Sequence, residues 1–233
     1  TVGFMRARSH EIIAIDACPL FAPGLARAPT AAQAIAQTLA ELGKPLDVAA
    51  TATDAGLDID IRGAGKLEFD LTQHLIALAA AYDLARLSNH GVTLIERRQP
   101  VLEIGRAKIT PPAGGFLQAT VAGEQALADL VVAEMQGERR IADLFAGVGT
   151  FALRLAERAE VHAVEHDQAA LTALSKAARN ASGLRRIATE ARDLFKRPLL
   201  RAELANYDAV VFDPPRAGAE AQARELAASD VPL

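Results

Sequence analysis

Arg140-Ile141-Ala142-Asp143-Leu144-Phe145-Ala146-Gly147-Val148-Gly149-Thr150-Phe151 is an apolar run of strand character that closes on an acidic residue, crosses a small-residue loop and opens a helix. Glycine lacks a Cβ, so the two in this loop let the backbone approach a ligand closely. A helix starting near Thr150 turns its free N–H groups and positive dipole end into the same space. The spacing predicts a nucleotide-type binding loop on a strand-turn-helix unit.

Downstream the same rhythm repeats. Helical patterns over 123–136, 150–158, 167–180, 195–204 and 219–228 alternate with short apolar strands at 141–145, 161–165, 186–189 and 209–212. Alternation of this kind predicts an α/β doubly wound parallel sheet with helices on both faces, binding its ligand at the carboxyl ends of the strands where the strand order reverses. Upstream the texture is that of a smaller α+β domain. A strand at 11–16 meets the breaker Cys18-Pro19, and a helix capped by Thr30 runs to Leu42 with Gly43 as its stop. A hairpin joins 48–53 to 56–62, a helix covers 71–87, and a second hairpin joins 92–96 to 101–104. The expected domains are 1–112 and 113–233, with residues 109–115 as linker. The chain opens on Thr1 and stops soon after Asp230-Val231, which reads as a strand beginning, so a fragment with an incomplete C-terminal sheet is expected.

Composition narrows the class. With 233 residues, 51% of them hydrophobic, the chain can bury a sizeable core. It has no apolar run of about 18 residues, as a membrane span requires. A single cysteine excludes an internal disulfide framework and fits a reducing cytoplasm. A net charge of −4 lends no support to non-specific nucleic-acid binding.

Gly147-Val148-Gly149-Thr150-Phe151-Ala152 fits the dinucleotide pattern, and Glu165 closes the next strand. A carboxylate there accepts hydrogen bonds from two ribose hydroxyls, which NAD and S-adenosylmethionine both offer. Two features favour the second. Asp143 would oppose a pyrophosphate but suits the ammonium of a methionine moiety, and the fourth strand ends in the rigid acidic turn Asp213-Pro214-Pro215-Arg216. An NAD-binding module stays open as the alternative.

Asp143-Leu144-Phe145-Ala146-Gly147-Val148-Gly149, Glu165, Asp213-Pro214-Pro215-Arg216-Ala217-Gly218 and Phe116-Leu117-Gln118 together resemble the RNA uracil-5-methyltransferases, which make 5-methyluridine in ribosomal and transfer RNA. Gly3-Phe4, Ser9-His10-Glu11-Ile12 and Cys18-Pro19 resemble that family's central domain, so the likeness covers nearly all of a chain truncated at both ends. The resemblance implies a class I, Rossmann-like methyltransferase fold, S-adenosylmethionine as cofactor and RNA as partner. It assigns Gln118, Phe145, Glu165 and Asp213 to the cofactor, with Gly147 and Gly149 shaping the loop and Asp193 near the adenine. Asp213 would also face the target uracil, and Arg216 would contact the RNA backbone or brace the turn. Phe116 would stack on a base or dock into the core. Thr120 stands where the family usually has Asn.

The mechanism implied is nucleophilic: a cysteine thiolate adds to uracil C6, C5 takes the methyl group, and a base removes the C5 proton. In the family that cysteine lies in a Ser-Cys-Asn-Pro turn after the fifth strand. No such turn is present, so no catalytic residue is expected in this chain, which should bind cofactor without methylating. In some relatives a Cys-Pro like Cys18-Pro19 supplies the fourth thiolate of a [4Fe–4S] cluster; here Cys18 is expected as a free thiol or a small buried hydrophobe. A class I methyltransferase acting on another substrate, or a non-catalytic RNA-binding module, are the other readings. The histidines show no metal spacing beyond His162/His166. Arg192, Lys196, Arg197 and Arg201 are the best candidates for phosphate contacts, whereas Arg97-Arg98 reads as solvated loop charge.

Overall fold

A computed structural model describes residues 1–9 and 11–231; His10, Pro232 and Leu233, and with them the strand expected beyond Val231, lie outside the described residues. The chain forms two compact units, residues 1–102 with 112–115, and residues 103–111 with 116 onwards.

In the first unit β1 (Gly3–Met5) and β2 (Ile12–Ala14) form an antiparallel ribbon. The core belongs to a four-stranded sheet in the order β3 (Asp47–Thr53), β4 (Gly56–Arg62), β5 (Arg86–Asn89), β6 (Val92–Glu96). Helices α1 (Ala28–Thr38) and α2 (Phe69–Ala81) supply its apolar cover. Strand β4 shows why the layers form. Its residues alternate, so Leu57, Ile59 and Ile61 pack with Ile35 of α1, Leu39 just after it and Leu75 of α2, while Asp58 and Asp60 point to the opposite face. There Asp58 receives both Nε and Nη2 of Arg86, its cross-strand partner, at 2.8 and 2.6 Å, with both side chains buried.

Several local expectations are corrected here. Helix α1 opens on Ala28-Pro29, not on a Thr30 cap, because proline's missing N–H is harmless in a first turn. The helix expected over 71–87 ends at Ala81, where Asp83 turns left-handed at φ 52°. Residues 86–89 are instead strand β5, parallel to β4. β5 reads Arg-Leu-Ser-Asn and is buried throughout, so no polar-out alternation marks it as a strand, while Leu84 and Leu87 stand three apart, a helical spacing. β6 pairs back onto β5 through the two-residue turn His90-Gly91 (φ 51° and 77°), the mirror-type geometry that suits a hairpin. Arg97 and Arg98 are not solvated loop charges, because both donate to Oδ1 of Asp83 at 2.8 Å.

In the second unit β7 (Leu102–Ile104) pairs with β8 (Ala107–Ile109), not with β6, and β8 lies against α5 (Gln168–Asn180). Helix α3 (Val121–Glu134) precedes a parallel sheet ordered β11 (Ile187–Ala191), β10 (Glu160–Glu165), β9 (Arg140–Leu144), β12 (Ala209–Phe212). The chain lays down β9, β10 and β11 outward, then returns to place β12 on the free side of β9. That reversal is the doubly wound topology expected. α4 (Ala152–Leu155) and α5 cover one face, while α6 (Arg201–Leu204) and α7 (Glu220–Ala227) pack Leu204 and Leu226 against Ala142, Leu144, Val164 and Val210 on the other. The helices expected over 150–158 and 195–204 shrink to the single turns α4 and α6. A one-turn helix has little dipole, so the loop at 147–149 cannot owe much to one.

Asp58→Ala should take the bidentate partner from the buried Arg86, leaving Glu96 at 3.9 Å as a poor substitute, and cost about 3 kcal/mol. Urea unfolding should show it as a fall in midpoint, whereas replacing both partners by apolar residues of similar volume should restore much of the loss.

Candidate cofactor site

Register decides which side chains meet. Leu144 is level with Val164 on one side and Phe212 on the other, so the next residues, Phe145, Glu165 and Asp213, emerge together at the carboxyl edge. This edge is the point where the strand order reverses, the usual ligand position in such sheets.

The loop after β9 is bound to that edge. Phe145 and Ala146 donate to the carbonyl of Val164 at 2.9 and 3.2 Å. Phe145 holds a left-handed φ of 66°, a strain of roughly 1 kcal/mol in a residue with a Cβ. Its ring lies 5.4 Å from Phe195 and 6.0 Å from Phe212, centre to centre. Glu165 holds three backbone N–H groups: Gly147 on Oε2 at 2.9 Å, and His166 and Asp167 on Oε1 at 2.7 and 2.9 Å. The two glycines serve different ends. A Cβ at Gly149 (φ 95°) would run into Leu174 of α5, whereas one at Gly147 (φ 54°) would meet nothing within 4 Å.

Asp143 lies beneath this loop. It is 1% exposed, and among the described residues neither carboxyl oxygen has a hydrogen-bond partner. Burial pushes its pKa up to about 7; the nearby Ala152 N–H offsets this only in part, and the charges of Asp213 and Glu165 add to it. A buried carboxyl without a partner is costly, and such groups mark functional sites.

The remaining candidates are placed as follows. Asp193 follows β11 and accepts the Phe195 N–H at 3.0 Å with Lys196 Nζ at 3.3 Å, so its turn carries Phe195 to the Phe145 ring. Asp213 and Arg216 are exposed, in a turn that closes with the Gly218 N–H on the Pro215 carbonyl at 2.7 Å. Phe116 is 80% exposed and not docked in a core, and Gln118 is half-buried. Among the described residues neither hydrogen-bonds to the loop after β9. Thr120 caps α3 through the Gly123 N–H at 3.0 Å.

Cys18 is a half-buried free thiol, and the described residues hold no group of three or more metal-ligating side chains. One thiolate is one ligand of the four such a cluster takes, so these residues alone do not fit it. His162 turns Nδ1 to the Tyr207 hydroxyl at 2.5 Å and Nε2 to Glu190 at 3.2 Å, apart from the exposed His166. Arg192 is unavailable for phosphate, because its guanidinium holds Glu203 at 2.7 and 2.9 Å and the carbonyls of Arg197 and Pro198. Sequence reasoning missed Phe195, Phe212 and Gln222; the last is fully buried and clasps both backbone groups of Leu199. Only the Asp-x-Phe spacing at 193–195 hinted at the first.

No family model matches the chain. Relatives do. An uncharacterised RNA methyltransferase of Brucella suis is 48% identical over 230 residues, 99% of this chain and 55% of that protein. The 23S rRNA (uracil(1939)-C(5))-methyltransferase RlmD of Chromohalobacter salexigens is 31% identical over 245 residues, 99% of this chain and 50% of its own length. Over nearly all of its length the chain is thus similar to RNA methyltransferases, a uracil-C5 enzyme among them. It spans about half the length of the curated relatives it matches. The fold agrees: the tRNA (uracil-54, C5)-methyltransferase of Pyrococcus abyssi, solved with S-adenosyl-L-homocysteine, superposes with a TM-score of 0.64 at 18% identity over 95% of this chain and 59% of that one. The parallel sheet is therefore of the class I, Rossmann-like type. Among the described residues no helix is long and apolar enough to cross a membrane.

The geometry of the loop after β9 leads to two predictions. The folded Asp143 carboxyl keeps its proton up to about pH 7, while the unfolded one loses it near 3.8. The stabilisation from that proton is complete below pH 3.8 and is lost as pH rises to about 7, with an upper limit of about 4 kcal/mol. Asp143→Asn should therefore gain stability relative to the parent between pH 5 and pH 8 in urea unfolding; a gap that does not widen contradicts the assignment. Gly149→Ala should cost about 2–4 kcal/mol, because Leu174 is fully buried and cannot retreat, against about 1 kcal/mol for Gly147→Ala.

Proposed function

We propose that this chain is the S-adenosylmethionine-binding part of an RNA uracil-C5 methyltransferase that forms 5-methyluridine in ribosomal or transfer RNA, acting in the cytoplasm. The observation that carries the reading is the crest itself: Glu165 and Asp213 flank the open side of Gly147, in a chain 31% identical to an enzyme of that activity. In this reading Gly147 and Gly149 shape the loop, Phe145 and Gln118 contact the cofactor, Glu165 takes the ribose hydroxyls, and Asp193 lies by the adenine. Glu165 already holds three N–H groups, so of its roughly four lone-pair sites one is free, and the second ribose hydroxyl displaces a loop N–H.

The cofactor supplies an electrophilic methyl group. Asp213 borders both its methyl end and the target uracil, Arg216 meets an RNA phosphate, and Phe116, exposed as it is, stacks on a base. The nucleophile is a thiolate that adds to C6 of an extruded uracil. The chain's single cysteine is in Cys18-Pro19, not in a Ser-Cys-Asn-Pro turn, so the adduct needs a cysteine these 233 residues do not include. A dinucleotide is disfavoured, because its pyrophosphate would sit among Asp143, Glu165 and Asp213.

Calorimetry with S-adenosylhomocysteine and with NAD tests the reading. The first should bind and the second should not, and Glu165→Ala should weaken binding tenfold or more, as loss of about 1.5–3 kcal/mol of charge-assisted hydrogen bonding requires. NAD binding without S-adenosylhomocysteine binding overturns the assignment. Methylation of uridine-containing RNA by this chain alone overturns the part that concerns the nucleophile.

A further inference from the structure

We propose that cofactor binding is linked to a proton through Asp143: the empty site holds this carboxyl protonated, and the arriving ammonium of the cofactor's amino-acid end drives the proton out to solvent. The inference rests on the reading of the crest as an S-adenosylmethionine site and adds a property that reading does not require.

The geometry leaves the carboxyl no other charge partner. It is sealed under the loop, with both oxygens unpartnered among the described residues. The groups that face it are Glu165 from the end of β10, Asp213 from the end of β12, and the Ala152 N–H from α4. Arg154, the cation on α4, is drawn away to α3 by Glu124 at 2.6 Å and Gln125 at 3.1 Å. Glu165 is held by three N–H groups, and its charge bears on Asp143 from the end of the neighbouring strand. Three carboxyl groups converge on one loop, and only Asp143 among them is shut away from solvent. Asp143, buried and with only the Ala152 N–H near it, is the one that keeps its proton.

A cation changes that balance. An opposite charge within about 4–6 Å lowers a carboxyl pKa by roughly 1–3, and it acts through the loop without needing to touch the oxygens. The proton goes to buffer, and the ammonium becomes the counter-ion. Binding should then tighten as pH rises, by up to tenfold per pH between about pH 5 and pH 7, and level off above.

The test is calorimetry of the chain with S-adenosylhomocysteine at pH 6.5, in phosphate and in Tris, whose ionisation heats differ widely. Different apparent enthalpies, corresponding to release of about half to one proton, are expected. 5′-Methylthioadenosine, the same nucleoside without the amino-acid moiety, should bind with equal heats, and Asp143→Asn should abolish the difference for S-adenosylhomocysteine. Equal heats in both buffers together with a flat affinity from pH 5.5 to pH 8 overturn the proposal while leaving the cofactor site intact. Absence of binding overturns both. Should Asp143→Asn fail to fold, the Asp143 carboxyl carbon followed by NMR in the parent chain decides: titration near pH 7 free and below pH 5.5 bound supports the linkage, and an ordinary carboxylate titration in the free chain overturns it.

Discussion

One carboxylate holds the binding edge together. Glu165 ends β10 and takes the Gly147 N–H on one oxygen and two N–H groups of its own turn on the other. The loop after β9 is thereby tied to the neighbouring strand rather than left to find its own shape. Charge-assisted hydrogen bonds of this kind are roughly twice as strong as neutral ones. With the loop held, Phe145 can keep its left-handed backbone, because surroundings that over-determine a residue can sustain about 1–3 kcal/mol of strain.

The same fixation explains how the fold tolerates Asp143. A carboxyl near the end of an interior strand is shut off from solvent, and the α4 turn that follows is too short to aim a row of N–H groups at it. The surrounding core sets this arrangement: Ala142, Leu144 and Val164 pack on one side of the sheet, while α4 and α5 close the other. Stability is given up at the loop and maintained by layers of alanine, leucine and valine that have no chemistry. An active-site scaffold with a pre-set electrostatic demand has this pattern, in contrast to a core optimised for stability alone.

The parallel sheet was legible in the sequence because its strands are short, largely apolar and bounded by turns, and because β10 ends on Glu165 while Phe145 and Asp213 follow β9 and β12 at the level register gives them. The first unit was less so. Strand β5 is buried throughout although three of its four residues are polar, and Leu84 and Leu87 stand at helical spacing just after α2, so the sequence blurs helix into strand; the break comes from Asp83, held by Arg97 and Arg98 from beyond β6. The pairing of β6 with β5 depended on two left-handed residues at His90-Gly91, which a scan for Asn-Gly or Pro turns passes over. The aromatic floor under Phe145 was invisible for the same reason. Phe195 and Phe212 come from separate turns, and Gln222 secures the connecting segment by hydrogen bonds from a helix more than twenty residues on.

The glycine signature itself carries two kinds of information that the sequence cannot separate. Gly149 is small because Leu174 of α5 needs the space, so any Rossmann-like sheet with this loop and a large residue at that position requires it, whatever it binds. Gly147 has open space beside it, and its left-handed φ, together with the Glu165 bond to its N–H, leaves an exposed backbone edge next to two acidic strand ends. The first glycine argues for a fold and the second for a ligand. Charge then says which ligand. An edge that already carries two carboxylates and hides a third beneath them is unsuited to a pyrophosphate and suited to a molecule whose reactive end is cationic. That preference does not come from the glycine pattern, which dehydrogenases share, but from Asp143, Glu165 and Asp213 converging on one side of it.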